Sequence, residues 1–115
     1  MQNIVELLNQ HEEVWFWIEE KYQDHFFEEL IDMNAIFLNG TPVTREKIKH
    51  CMAVHNDKTV GYVSNLVWYK TFSSPTAPIK VDYGKYICDK DEYVFLKSNL
   101  QPIDVAELVG GKADE

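Results

Sequence analysis

The side chains best suited to acid–base or metal chemistry in this chain are its four histidines, His11, His25, His50 and His55. His11 and His55 fall on the apolar stripes of predicted helices, where a histidine is more often part of a core than a ligand. His50 and His55 are five residues apart, so no HxxxH or HExxH pair places two imidazoles on one helical face. We therefore expect no metal ion and no cofactor.

A general acid or base requires a carboxylate or an imidazole in a dry, concave place, and the sequence offers His11 and Asp32 as candidates. Asp82 also lies near an apolar run, but it falls opposite the apolar set of its predicted strand, which favours a solvated position. Cys51 lacks a nearby activating histidine, the serines lie in no GxSxG or SxxK context, and no glycine-rich phosphate loop is present. The sequence therefore does not assign a reaction to either candidate.

Aromatic side chains with polar tips are a second group that could form a site, because such rings line many ligand pockets. Five of them and one amide are expected to face a concavity between helices and sheet: Trp15, Tyr22, Asn34, Tyr62, Trp68 and Tyr83. The alternative is that these rings only fill a core or a dimer interface, and this alternative is the simpler one.

These side chains need elements to position them, and residues 3–22 show a clear helical period. Residues of one stripe recur at three- and four-residue steps, namely Ile4, Leu8, His11, Trp15, Ile18 and Tyr22. On such a helix Phe16 and Trp17 lie away from the stripe, near Glu13 and Glu20. The pattern predicts one long helix with an outer interaction surface formed by Phe16, Trp17, Glu13 and Glu20.

The remaining pattern predicts an α+β fold with helices packed on one face of a curved antiparallel sheet. The expected elements are a helix with Phe26 and Phe27 facing inward, a strand at 35–38, a turn at 39–40, a helix from Thr44 to His55, and strands at 59–72, 78–88 and 92–100. We expect a single domain over residues 1–115. Its parts are a helical region with one short strand (about 1–58), antiparallel strands (59–103) and a frayed tail (110–115).

The formal net charge of −8 is concentrated in the first third of the chain. Residues 1–40 carry nine acidic side chains and one basic side chain, whereas residues 41–115 carry ten of each. This distribution argues against direct nucleic-acid binding, which depends on clustered lysine and arginine, and it is compatible with a basic protein partner. The two cysteines lack CxxC spacing and no run approaches the ~20 apolar residues of a membrane span, so we expect a cytoplasmic protein with reduced thiols and no membrane contact.

Two segments carry a resemblance to a known family. FFEELIDMNAIFLNGTPVTREKI (26–48) and YGKYICDKDEYVFLKSNLQPI (83–103) are similar in arrangement to the SnoaL-like and ketosteroid-isomerase-like cone folds of the nuclear-transport-factor-like superfamily. The resemblance implies a homodimer that pairs through its sheets. Catalytic members often place an aspartate just before the first strand, where this chain has Asn34, so the resemblance implies a dimer more readily than an enzyme.

Three functions are compatible with these observations. The first is a small non-catalytic ligand-binding or protein-interaction module that forms a homodimer, and the lack of a catalytic set favours it. The second is an acidic inhibitor, of an immunity or anti-defence type, that blocks a basic nucleic-acid-binding enzyme. The third is a SnoaL-like isomerase or hydrolase for a small hydrophobic molecule, which would require an open cavity beside His11 or Asp32.

Overall fold

The computed structural model describes residues 3–71 and 78–95, which form a five-stranded mixed sheet with helices on both faces. The strands follow the spatial order β2-β4-β3-β1-β5 and have these bounds: β1 Glu13–Trp17, β2 Ile36–Phe37, β3 Cys51–His55, β4 Thr59–Tyr62 and β5 Ile79–Asp82. The helices are α1 Ile4–Leu8, α2 Gln23–Asp32, α3 Asn65–Lys70 and α4 Tyr83–Ile87, with single 3-10 turns at Glu20–Tyr22 and Arg45–Lys47. The α+β prediction is confirmed.

Strand β1 lies between β3 and β5 and divides its side chains between the two faces of the sheet. Val14 and Phe16 belong to the main core, whereas Trp15 belongs to a second cluster on the opposite face. This separation follows from the two-residue period of a strand. Both faces of β1 are therefore covered, and its three central residues are buried.

The main core lies between the sheet and helices α1, α2 and α4. Phe16, Phe26 and Tyr83 meet at its centre with ring centroids 5.0–5.7 Å apart in edge-to-face geometry, and all three side chains are fully buried. Edge-to-face contacts of this kind are favourable because the positive edge of one ring meets the negative face of another. The space between α2 and the sheet is therefore occupied by protein side chains.

The second face of the sheet is covered by α3. Trp68 of this helix is 1% exposed and packs with Trp15, Cys51, Ala53 and Val63. The helix begins after Ser64, whose hydroxyl oxygen accepts a hydrogen bond from the Val67 amide at 3.2 Å. This serine cap explains why the chain leaves the sheet soon after β4.

The prediction of one helix over residues 3–22 is wrong. Within that range only residues 4–8 are α-helical, residues 13–17 form a strand, and residues 20–22 form a 3-10 turn. The apolar run from Val14 to Trp17 belongs to a strand covered on both faces, so it lacks the polar alternation that would have distinguished it from a helix. The predicted helix from Thr44 to His55 is wrong for the same reason, because Cys51–His55 is the buried strand β3.

The strand predictions of the second half were too long, and the sheet is not purely antiparallel. Residues 65–70 and 83–87 are helical, and the pairs β1–β5 and β2–β4 are parallel. Asp82 ends β5 and caps α4, accepting a hydrogen bond from the Lys85 amide at 3.2 Å, and the residue is half-buried. The predicted strand at 92–100 is described only to residue 95, where Val94 bridges Val81, and the predicted tail at 110–115 lies outside the described residues. The predicted division into a helical part and a strand part does not hold within the described residues, because both parts contain helices and strands.

No helix within residues 3–71 and 78–95 is long and apolar enough to traverse a lipid bilayer.

Candidate binding groove

A groove of about 540 Å³ opens at the end of the sheet where β1 begins, β3 ends and β5 begins. It is lined by residues 10–13, 55–57 and 78–79, and we call this surface the acidic groove. Glu13 and His55 are direct partners in the β1–β3 register, so their side chains lie on the same face. The Asn56 amide also donates a hydrogen bond to the Glu12 carbonyl oxygen at 2.8 Å, which fixes the two sides of the groove relative to each other.

Glu13 is held in place by two neighbours. Its Oε2 accepts a hydrogen bond from Trp15 Nε1 at 2.6 Å and lies 3.3 Å from His55 Nε2. Trp15 follows Glu13 by two residues on the strand, so both side chains project from the same face. The carboxylate is therefore oriented before any ligand arrives.

His55 has an acceptor beside each of its ring nitrogens. Nδ1 lies 3.3 Å from the Thr59 carbonyl oxygen, and Nε2 faces the Glu13 carboxylate. A neutral imidazole carries a proton on one nitrogen only, whereas an imidazolium donates from both. Only the charged form of His55 can donate hydrogen bonds to both acceptors.

Asp57 adds a further carboxylate to the acidic groove. Its Oδ1 accepts hydrogen bonds from the hydroxyl and the amide of Thr59, at 2.6 and 3.1 Å. These hydrogen bonds hold the pKa of Asp57 below its ordinary value, so this side chain is ionised at neutral pH. With Glu12 and Glu13, the groove carries three carboxylates and two imidazoles, those of His11 and His55.

Lys80 lies on the other side of Trp15. Its ammonium nitrogen is 5.0 Å from the centroid of the Trp15 ring, and the residue is 4% exposed. Burial lowers the pKa of Lys80 from its ordinary value because the charged form loses hydration. The ring of Trp15 thus contacts a cation through its face and a carboxylate through its N–H.

The acidic groove can accept positively charged donors, and a metal centre is not evident in it. Across residues 3–71 and 78–95, no three histidine, cysteine, aspartate or glutamate side chains are grouped so that they could hold a metal ion. The carboxylates of Glu13 and Asp57 are fixed by Trp15 of β1 and Thr59 of β4, which suits recognition of an ammonium or guanidinium group.

A second group of the same residue types lies at the edge of the main core. The Tyr83 hydroxyl donates a hydrogen bond to Glu29 Oε2 and lies 2.6 Å from His25 Nδ1, and Glu29 Oε1 accepts a hydrogen bond from the Ile4 amide at 2.8 Å. Burial of Tyr83 and its hydrogen bond to Glu29 raise the pKa of Tyr83 well above its ordinary value. This group ties α1, α2 and α4 together, and rings of the core surround Tyr83.

The two predicted catalytic candidates are not brought together. His11 lines the acidic groove, whereas Asp32 is exposed at the end of α2. Cys51, which was not favoured as a nucleophile, is buried, and this burial raises its pKa to about 12.

The six predicted pocket residues do not form one pocket. Trp15 and Trp68 lie in the second cluster and Tyr83 lies in the main core on the opposite face. Tyr22 packs against the main core with its hydroxyl 3.8 Å from Cys88 Sγ, whereas Tyr62 and Asn34 are exposed. The prediction failed because it placed Trp15 and Tyr22 on one face of a helix that does not exist.

The predicted interface residues are also separated. Phe16 is fully buried in its own core, so its assignment to an interface is wrong. Trp17 is half-buried, stacked on His50 with centroids 5.4 Å apart and next to Trp68 at 6.3 Å. Glu20 is exposed in a 3-10 turn, and Glu13 lines the acidic groove.

Sequence reasoning missed the roles of His55 and Asp57. The signal was the polar stretch His55–Asn56–Asp57–Lys58 between two runs rich in β-branched or apolar residues, which is typical of a β-hairpin turn. A hairpin at this position would have placed His55 at the end of a strand and next to a partner strand.

No family model, curated protein or solved structure matches this chain. The resemblance to the SnoaL-like and ketosteroid-isomerase-like folds therefore stays a prediction, as does the cone-like curvature of the sheet.

Proposed function

We propose that this protein is a small non-catalytic interaction module that binds a basic segment of a partner protein in the acidic groove. The observation that carries this proposal is the fixed Glu13 carboxylate, bound by Trp15 Nε1 and placed beside His55 and Asp57 in an open groove. A lysine or arginine side chain is the protein group whose charge and donors complement these acceptors.

Preorganisation supports this proposal. The Trp15 and Thr59 hydrogen bonds orient Glu13 and Asp57 in the absence of a ligand, so a ligand loses less free energy in ordering them. The net charge of −8 adds a long-range attraction for a basic partner and speeds its association at low salt.

The catalytic alternative has less support. Both ring nitrogens of His55 face acceptors of the protein itself, so neither is directed at a substrate. A SnoaL-like isomerase or hydrolase would also need open space between α2 and the sheet, where Phe16, Phe26 and Tyr83 pack together.

The acidic inhibitor is a narrower form of the same proposal, in which the basic segment belongs to a nucleic-acid-binding enzyme. The observations that favour it are the acidic groove and the charge of the first 40 residues. Formation of a homodimer is a separate proposal, and Phe16 cannot contribute to its interface because this side chain is fully buried within the monomer.

The proposal is tested by titrating ¹⁵N-labelled protein with a hexa-arginine peptide and following backbone amide shifts. We expect the largest shifts in residues 10–13 and 55–57, with affinity that falls as salt increases. Glu13→Gln should weaken binding about tenfold, because one charge-assisted contact contributes about 1.4 kcal/mol.

The matched control is Glu28→Gln, which removes the same charge from an exposed position on α2. It should change the affinity by less than about twofold, because exposed distant charges are screened. Equal weakening by both variants, or shifts that follow α2 in place of the groove, would overturn the proposal.

A further inference from the structure

We propose that Asn39 is a modification site, where the asparagine converts to aspartate and isoaspartate without an enzyme, and that opening of the turn around it controls the rate. Asn39 and Gly40 are exposed in the loop that follows β2. This modification does not involve the acidic groove, so it does not depend on the proposed function.

The reaction needs only the chain itself and water. The Gly40 amide nitrogen attacks Cγ of Asn39, the bond from Cγ to Nδ2 breaks, and the departing amide group takes the Gly40 proton and leaves as ammonia. Water then opens the resulting cyclic imide at Cγ, which gives aspartate, or at the main-chain carbonyl of Asn39, which gives isoaspartate. Either opening returns a proton to the Gly40 nitrogen. Glycine is the residue that hinders this ring closure least, because it has no Cβ.

The turn holds the attacking nitrogen in a hydrogen bond. The Gly40 amide donates to the Phe37 carbonyl oxygen at 2.8 Å, and the Phe37 amide donates to the Thr41 carbonyl oxygen at 2.8 Å. Gly40 has a φ of 88°, which is typical of the left-handed residue in a three-residue hairpin loop. Because the nitrogen must lose its proton as it attacks, its hydrogen bond to Phe37 has to break before the ring can close.

The side chain of Asn39 is held as well. Its Oδ1 accepts hydrogen bonds from the amide and the hydroxyl of Thr41, at 3.0 and 2.7 Å. Such donors would stabilise negative charge on Oδ1 during the attack, but this charge develops only after the Gly40 nitrogen has left Phe37. The hydrogen bonds of Thr41 also stabilise the closed turn, so their main effect is protection. The reaction therefore proceeds from the open turn.

This mechanism relates two rates that can be measured separately. Hydrogen exchange of the Gly40 amide also requires its hydrogen bond to open, so exchange and modification depend on the same fraction of open turn. The factor by which folding slows modification of Asn39 should therefore equal the protection factor of the Gly40 amide to within about threefold.

The experiment follows Asn39 by peptide mapping and mass spectrometry while the protein is kept at pH 8 and 37 °C, either folded or unfolded in guanidinium chloride. Exchange of the Gly40 amide with water is measured by NMR of ¹⁵N-labelled protein. We expect both acidic products at Asn39 in both states, formed more slowly in the folded one. Asn34 is an internal comparison and should react more slowly than Asn39 in the unfolded chain, because the Cβ of Ala35 hinders ring closure.

Thr41→Val tests the protective role of the turn in the folded protein. It removes the hydroxyl hydrogen bond to Asn39 and should speed both modification and Gly40 exchange about fivefold, because loss of one such bond destabilises the closed turn. Thr44→Val is the matched control, because Thr44 is exposed and its side chain makes no capping hydrogen bond. It should change both rates less than about twofold.

The comparison of folded and unfolded protein needs no variant, so it decides the matter even if Thr41→Val does not fold. An Asn39 that stays unmodified in the unfolded chain, or reacts no faster there than Asn34, would overturn the assignment of the site. Equal rates in the folded and unfolded protein would show that the turn does not control the reaction. Slower modification in Thr41→Val would show that the donors of Thr41 activate Asn39, which would also overturn the inference.

Discussion

Two clusters in this protein contain a glutamate, a histidine and an aromatic donor, and they differ in how the glutamate is paired and how deeply it is buried. The closed cluster consists of Tyr83, which lies in the main core, with Glu29 and the partly exposed His25 at the edge of that core, and the open cluster consists of Glu13, Trp15 and His55 beside the acidic groove. In the closed cluster both oxygens of Glu29 accept hydrogen bonds, one of them from the Ile4 backbone amide. In the open cluster a carboxylate oxygen and an imidazole nitrogen face each other next to solvent.

This difference indicates different roles for the same side chains. The Glu29 side chain is 14% exposed and joins three helices, so its charge contributes to the arrangement of the fold. The Glu13 side chain is 31% exposed and lies on the wall of a groove, where an arriving donor can reach it. A glutamate that is mostly buried and paired through both oxygens stabilises the protein, whereas a glutamate on the wall of a groove is available to a ligand.

The largest expected effect comes from removing each glutamate in turn. Glu29→Ala should lower the free energy of unfolding by about 3 kcal/mol, because the Tyr83 hydroxyl and the Ile4 amide lose their acceptor where water has little access. Glu13→Ala should cost less than about 1 kcal/mol, because water in the groove can replace the carboxylate. Urea denaturation at pH 7, followed by far-ultraviolet circular dichroism, measures both values.

These two variants control for each other, because each removes one glutamate that has an imidazole and an aromatic donor as neighbours. If Glu13→Ala and Glu29→Ala lowered the free energy of unfolding by the same amount, the open cluster would also have a structural role. The contrast between the two clusters would then have no functional meaning.

The fold class was predictable from the sequence, and the order of the elements was predictable in part. Helix α2 was recognisable because only one of its faces is buried, so Phe26 and Leu30 recur at helical spacing among acidic residues. Strands β1 and β3 were not recognised, because both of their faces are covered and their apolar residues are consecutive. Helices α3 and α4 are short, and their β-branched and aromatic residues favour strands until the caps Ser64 and Asp82 are considered.

The candidate site was predictable only as separate residues. His11 and Glu13 were singled out from the sequence, the first as a base and the second as part of an interaction surface. Their association with His55 and Asp57 depends on the β1–β3 register, which pairs Glu13 with His55, 42 residues further along the chain. Local periodicity carries no information about such a pairing, and a helix at residues 13–17 would not have allowed it.

A smaller effect is expected when the closed cluster loses only its hydroxyl group. Tyr83→Phe should lower the free energy of unfolding by about 1.5 kcal/mol at pH 7, because Glu29 loses a donor in the core. The folded state raises the pKa of Tyr83, so the unfolded state loses the proton first, at about pH 10, and the stability of the unaltered protein falls above that pH. Denaturation at pH 7, 9.5 and 10.5 should therefore show that the difference in free energy of unfolding between Tyr83→Phe and the unaltered protein becomes smaller as pH rises.

Tyr62→Phe provides the comparison for this hydroxyl deletion, because Tyr62 is 63% exposed. It should change the free energy of unfolding by less than about 0.5 kcal/mol at pH 7. If the difference in free energy of unfolding between Tyr83→Phe and the unaltered protein stayed constant from pH 7 to 10.5, the assignment of Tyr83 to the closed cluster would be contradicted.

The smallest effect concerns the two thiols, which show the same contrast between a closed and an open environment. Cys51 is 1% exposed and burial raises its pKa to about 12, whereas Cys88 is exposed near the Tyr22 hydroxyl. Because the unfolded state ionises this thiol near pH 9, the contribution of Cys51 to stability is complete at pH 8 and decreases by about 0.8 kcal/mol by pH 9.5. The difference in unfolding free energy between Cys51→Ala and the unaltered protein should narrow by this amount. Urea denaturation at both pH values measures this difference, and a difference that stays constant would mean that the second face of the sheet is not closed to water at Cys51.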